Sequence, residues 1–122
     1  MITGWVNGDL EAVISIRVGF AETETTIDVI LDTGFSGYLT LPPDLITSLG
    51  LLHFESADVR LANGQIERVD VFHARIYWDD DWRRIFVQAS DGDILGGMSL
   101  LQDCSLGIDV VAGGDVTIAP LS

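Results

Sequence analysis

The sequence predicts a mostly-β domain, a small closed β-barrel with one or two short helices. Three observations carry that reading. Apolar and polar residues alternate over long runs, above all Ala12 to Phe20 and Gln65 to Trp78, which is the two-residue period of a half-buried strand. An Asn63-Gly64 pair lies between two such runs, a strong local signal for a hairpin. Glycine (13 residues) far outnumbers proline (3), as suits strands joined by tight turns. With 122 residues, 48 % of them hydrophobic, residues 1–122 suit one domain with enough chain to bury a core.

The elements follow in order. Met1 to Leu10 is polar and glycine-containing, with Trp5 and Val6 as its expected anchors. Ala12 to Phe20 places Val13, Ser15 and Arg17 on one face and Ile14, Ile16 and Val18 on the other. Ala21-Glu22-Thr23-Glu24 turns the chain into a strand that ends at Asp32, and Tyr38 to Leu41 is a short strand. Pro42-Pro43 opens a helix over Asp44 to Leu49, which Gly50 stops. Ala57 to Leu61 and Gln65 to Trp78 form a hairpin across Ala62-Asn63-Gly64. On its long second strand Val69, Val71, His73 and Arg75 share one face, and Phe72, Ala74, Ile76 and Trp78 the other. Asp79-Asp80-Asp81 turns into a strand over Trp82 to Ala89, and Ser90 to Asp93 is a loop. Ile94 to Gln102 reads as a buried strand leading to a short helix. Ser105 to Val110 and Asp115 to Ala119 close the domain across Ala112-Gly113-Gly114.

The stretch with most chemistry is Ile27 to Gly37. Four aliphatic residues (Ile27, Val29, Ile30, Leu31) run straight into Asp32-Thr33-Gly34. A buried strand thus delivers one carboxylate to a glycine turn, an expensive place for an acid unless hydrogen bonds or function hold it there. Thr33 and Ser36 offer hydroxyls, and Gly34 and Gly37 allow close backbone approach. The plain alternative is an ordinary strand-ending turn.

Hydrophobic-hydrophobic-Asp-Thr-Gly-x-x-Gly resembles the active-site segment of the retropepsin-like aspartic proteases, single-domain relatives of pepsin that work as homodimers. The order of elements is similar over roughly residues 12 to 121. Leu61 to Ile66 falls where that family carries its flap, and Leu95-Gly96-Gly97-Met98-Ser99-Leu100-Leu101 resembles its second signature, whose glycine corresponds to Gly96 or to Gly97. The resemblance implies a retropepsin-like barrel and an aspartic endopeptidase. Asp32 is then catalytic, and Thr33, Gly34 and Ser36 support the active-site loop. Ala62, Asn63 and Gly64 form a flap that closes over bound peptide. One Asp-Thr-Gly per chain implies a homodimer, because this chemistry uses two carboxylates that share a proton around one water. No metal or cofactor is implied. Pepsin-like relatives carry Ser directly after the triplet, whereas this chain carries Phe35; losing that hydroxyl implies activity at mildly acidic pH rather than below about pH 3. The flap also has fewer glycines than its viral counterparts. The alternative is a catalytically silent relative kept as a peptide-binding or dimerisation module.

Composition narrows the rest. A formal net charge of −13 argues against nucleic acid and anionic membranes as partners and favours neutral or basic ones, with a solvated acidic surface as the plainer reading; a peptide or unfolded protein substrate is what the resemblance implies. Cys104 is the only cysteine, so no disulfide forms within the chain. No signal peptide or apolar run of membrane-spanning length is seen, and a cytoplasmic location is the expectation. His53 and His73 sit on different elements and read as ordinary residues rather than metal ligands. A serine-hydrolase triad through Ser36 lacks the Gly-x-Ser-x-Gly context. Asp79-Asp80-Asp81 and Asp91-Gly92-Asp93 do not fit a calcium loop and read as solvated turns. Cys104 reads as a core residue, and Trp5, Trp78 and Trp82 as packing anchors.

Overall fold

A computed structural model describes all 122 residues, 57 % in strands and 9 % in two helices. The strands are β1 (Ile2–Val6), β2 (Ala12–Phe20), β3 (Thr23–Leu31), β4 (Leu39–Leu41), β5 (Leu52–Arg60), β6 (Ile66–Trp78), β7 (Asp81–Ala89), β8 (Leu95–Gly96), β9 (Cys104–Ile108) and β10 (Asp115–Pro120). The helices are α1 (Pro43–Leu49), between β4 and β5, and α2 (Met98–Leu101), between β8 and β9. Neither is long and apolar enough to cross a membrane.

All ten strands belong to one sheet, in the order β5-β6-β7-β4-β8-β3-β2-β1-β10-β9. Strand β6 also pairs with β2, so the pairings β6-β7-β4-β8-β3-β2 return to β6. Hairpins give the antiparallel pairs β2–β3, β5–β6, β6–β7 and β9–β10. Two parallel pairs sit in the middle: β3 with β8 and β4 with β7.

Periodicity explains most of this. In β2 the alternation holds from Ile14 to Val18: Ile14, Ile16 and Val18 are buried, and Ser15 and Arg17 are exposed, whereas Val13, on the face of Ser15 and Arg17, is buried as well. Ile14, Ile16 and Val18 meet Val29 of β3, Ala74, Ile76 and Trp78 of β6, and Ile85 and Val87 of β7 in one cluster of 21 buried residues. Helix α1 begins on Pro43 and ends at Gly50, whose φ of 66° is the left-handed conformation that glycine adopts without strain. Its Ile46 and Leu49 cap the same core.

Two expectations are revised. Residues 2–6 form a strand, because β1 is hydrogen-bonded on both sides, to β10 and to β2. Strand β5 begins at Leu52 rather than Ala57, with an irregularity between His53 and Glu55 that breaks the alternation on which strand recognition depends. Of the three tryptophans only Trp78 is buried; Trp5 is 39 % exposed and Trp82 is half-buried. Cys104 is half-buried against the core cluster.

Candidate active site

Asp32 follows directly on β3, whose end is gripped from both sides. Val13 pairs with Ile30 across the β2 edge, and Leu31 pairs with Gly96 across the β8 edge. Beyond the last pair the Asp32 amide still donates to the Gly96 carbonyl at 2.8 Å. The backbone of Asp32 is therefore fixed by sheet hydrogen bonds while its side chain, half-buried, lies at the sheet's end. The chain then turns: the Phe35 amide donates to the Asp32 carbonyl at 3.1 Å, and the Gly34 amide donates to the Asp32 carboxylate at 2.9 Å. An aspartate that binds the amide two residues on is a self-closing turn. It aims one carboxylate oxygen at the backbone and leaves the other without a protein donor.

A second segment braces this loop. The Gly97 amide donates to Tyr38, the Met98 amide to Phe35 and the Ser99 amide to Gly37, at 3.0, 2.7 and 3.2 Å. The Ser99 hydroxyl donates to the Ser36 carbonyl at 2.6 Å. Both glycines of the Gly96-Gly97 pair are needed, for different reasons. A Cβ on Gly96 would lie 2.8 Å from Val29 Cγ1 and 2.9 Å from Leu100 Cδ2, where β8 packs beside β3. A Cβ on Gly97 would collide with the carbonyl oxygens of Gly37 and Phe35, where the two loops cross. The Phe35 ring lies over the same crossing, within 2.6 Å of where Cβ atoms on Gly37 and Gly97 would be.

Asp32, Thr33, Gly34 and Ser36 are thus brought together in one braced loop. Thr33, Gly34 and Ser36 are exposed, and Ser36 contributes its carbonyl, not its hydroxyl, to the bracing. Ala62, Asn63 and Gly64 lie elsewhere, at the exposed tip of the β5–β6 hairpin, with no hydrogen bond to the Asp32 loop. There the Leu61 amide donates to Gln65 at 2.7 Å and the Gly64 amide to Leu61 at 2.9 Å. Asn63 Oδ1 accepts the Gln65 amide at 3.0 Å, and Gly64 takes a φ of 85°. Nearer the base of that hairpin, Asp70 accepts from the Ser56 hydroxyl at 2.7 Å and faces His53 Nε2 at 3.3 Å. The Ser56 hydrogen bond first, and His53 second, hold its carboxyl below the usual aspartate range.

The histidines take no part in the Asp32 loop. His53 belongs to the Asp70 pair, and the His73 ring lies 4.9 Å from Phe54 and 5.5 Å from Phe86. Phe35 and Ser99 are the participants not singled out from sequence as loop supports. The doubled glycine at 96–97 was the available signal for where the loops cross. No family model matches the chain, and no curated protein matches it either.

Proposed function

We propose that the chain is a retropepsin-like aspartic endopeptidase, its six-strand ring of pairings forming a small closed barrel and its active form a homodimer. One observation carries this reading. A lone carboxylate sits on a turn fixed by the sheet on one side and by the Gly97–Ser99 segment on the other, with one oxygen held by a backbone amide and the other without a protein donor. General acid–base chemistry needs such a group, held still but not consumed by structural bonds.

In the proposed reaction two Asp32 side chains, one from each subunit, hold a water between them and share one proton. The ionised one takes a proton from the water as its oxygen adds to the peptide carbonyl carbon. The protonated one gives its proton to the carbonyl oxygen. Collapse of the resulting gem-diol breaks the C–N bond, and a carboxyl proton passes to the leaving nitrogen. The exposed Thr33 side chain would meet its counterpart across the two-fold axis. The β5–β6 hairpin, whose tip carries Ala62, Asn63 and Gly64, would fold over an extended substrate and pair with it as a strand.

Cleavage of an unstructured protein mixture between pH 4 and 8 tests the reading. The wild type should cut and Asp32→Asn should not. A second reading, a silent peptide-binding or dimerisation module, is favoured by Phe35, which stands in the sequence where relatives carry the hydroxyl that supports the carboxylate and whose ring packs instead at the Gly37–Gly97 crossing. An uncut mixture together with peptide capture by the wild type would select that module.

A further inference from the structure

Strand β6 changes partner along one edge. Arg75 pairs with Gly19 of β2, and two residues earlier His73 pairs with Leu52 of β5. Ala74 lies at the fork between these pairings, and a cavity of about 530 Å³ opens there. Phe20 and Leu52 give it apolar walls, and His73, Arg75 and Arg84 line the rest. Its size falls in the range of small-molecule sites, roughly 300–1,000 Å³.

The charges at this fork are unusual for the chain, which has 19 acidic residues against six arginines and no lysine. Arg75 and Arg84 stand directly opposite each other across β6 and β7. Like charges in that position repel at close range. Neither is ion-paired within 4.0 Å. Arg75 donates to the Ala21 carbonyl at 2.7 Å and lies 3.9 Å from the centre of the Trp82 ring, both uncharged partners. Arg84 is exposed, and its guanidinium has no carboxylate within 4.0 Å and no hydrogen bond to the protein. The nearby Glu24, whose charge Arg75 also favours, accepts its hydrogen bond from Arg17 at 2.8 Å. A guanidinium has five donors in a planar fork that matches a carboxylate, so Arg75 keeps donors to spare beyond its bond to Ala21.

We propose that this fork binds a monocarboxylate with an apolar body, Arg84 and Arg75 taking the carboxylate and Phe20 and Leu52 the chain or ring. The site does not depend on Asp32 or on the protease reading. Two sources present this chemistry: a free amphipathic acid, and the C-terminus of a peptide that ends in an apolar residue.

The test is an NMR titration of the full chain with octanoate, octanamide, and an acetylated tripeptide ending in leucine, the last as free acid and as C-terminal amide. Octanoate should shift Phe20, Leu52, Arg75 and Arg84 saturably, and octanamide should bind about tenfold more weakly or worse. Arg84→Gln, at an exposed position, should weaken octanoate by a similar factor while leaving the rest of the spectrum in place. Leu52→Ser should weaken it through the apolar wall, a second variant that does not touch the charge. Tighter binding of the free-acid peptide than of octanoate assigns the peptide terminus as the source, and the reverse assigns the free acid. Equal binding of octanoate and octanamide, shifts confined to other residues, or octanoate affinity unchanged in both variants overturns the site.

Discussion

At the scale of single residues, the proposed chemistry rests on Asp32, and the immobility of its turn on Gly97. Replacing Asp32 by Asn keeps an oxygen that can accept the Gly34 amide, so the turn should survive while the ionisable group is lost. The expected outcome is an unchanged thermal midpoint with cleavage reduced by at least about 10³-fold, in the range that proton transfer contributes. Parallel melting curves and peptide-cleavage rates check it. Gly97→Ala should act on stability first. Its methyl group has no room between the Gly37 and Phe35 carbonyls, so the loops must part, at a cost of about 1–3 kcal/mol for overpacking. Denaturant unfolding measures that loss, and activity should fall with it because the parted loop is the one that holds Asp32. A Gly97→Ala variant as stable as the wild type would mean that the loop crossing is looser than its hydrogen bonds indicate.

At the scale of elements, acid should act first on the β5–β6 and β2–β3 hairpins, whose exposed carboxylates are held by hydrogen bonds. Asp70 is held below its ordinary range by Ser56 and His53, and Glu24 on β3 is held below its own by the hydrogen bond from Arg17 on β2. A depressed carboxyl contributes stability above its unfolded value, about 4, and that contribution disappears as pH falls through the lower folded value. The β5–β6 hairpin should therefore loosen below about pH 4, seen as faster amide exchange in residues 55–58 and 67–71 after correction for the intrinsic rate. Asp70→Asn should remove most of that pH dependence. How legible these elements were in the sequence follows from the same local physics. Strand β2, the Asp32 strand, helix α1 and the Asn63-Gly64 turn were readable because period, cap and turn residues all act within a few positions. Strand β1 was not. Ile-Thr-Gly-Trp-Val has little pattern of its own and is a strand because β10 and β2 pair with both its edges. The start of β5 was hidden by the irregularity at His53–Glu55. The Asp32 turn was legible as a motif, but its bracing was not. Ser99 reaches Ser36 across 63 positions of sequence, a contact that no local pattern encodes.

At the scale of the whole molecule, the proposed dimer must form against its own charge. Each protomer carries a formal net charge of −13, so two copies repel as they approach, and the repulsion acts over a distance that salt shortens. Raising ionic strength from about 0.01 M to about 1 M shrinks the Debye length from about 30 Å to about 3 Å. Association should therefore tighten with added salt, the reverse of what an interface held by opposite charges would show. If each active site takes one Asp32 from each subunit, cleavage per protomer should rise with protein concentration and level off where the dimer saturates. That half-saturation concentration should fall as salt is added. Sedimentation velocity and cleavage rates, measured over the same concentration series at low and high salt, should yield one dissociation constant that moves together in both. Cleavage that stays proportional to protein concentration well below the measured dissociation constant would place a complete site in one protomer, which a chain with a single Asp-Thr-Gly turn does not contain.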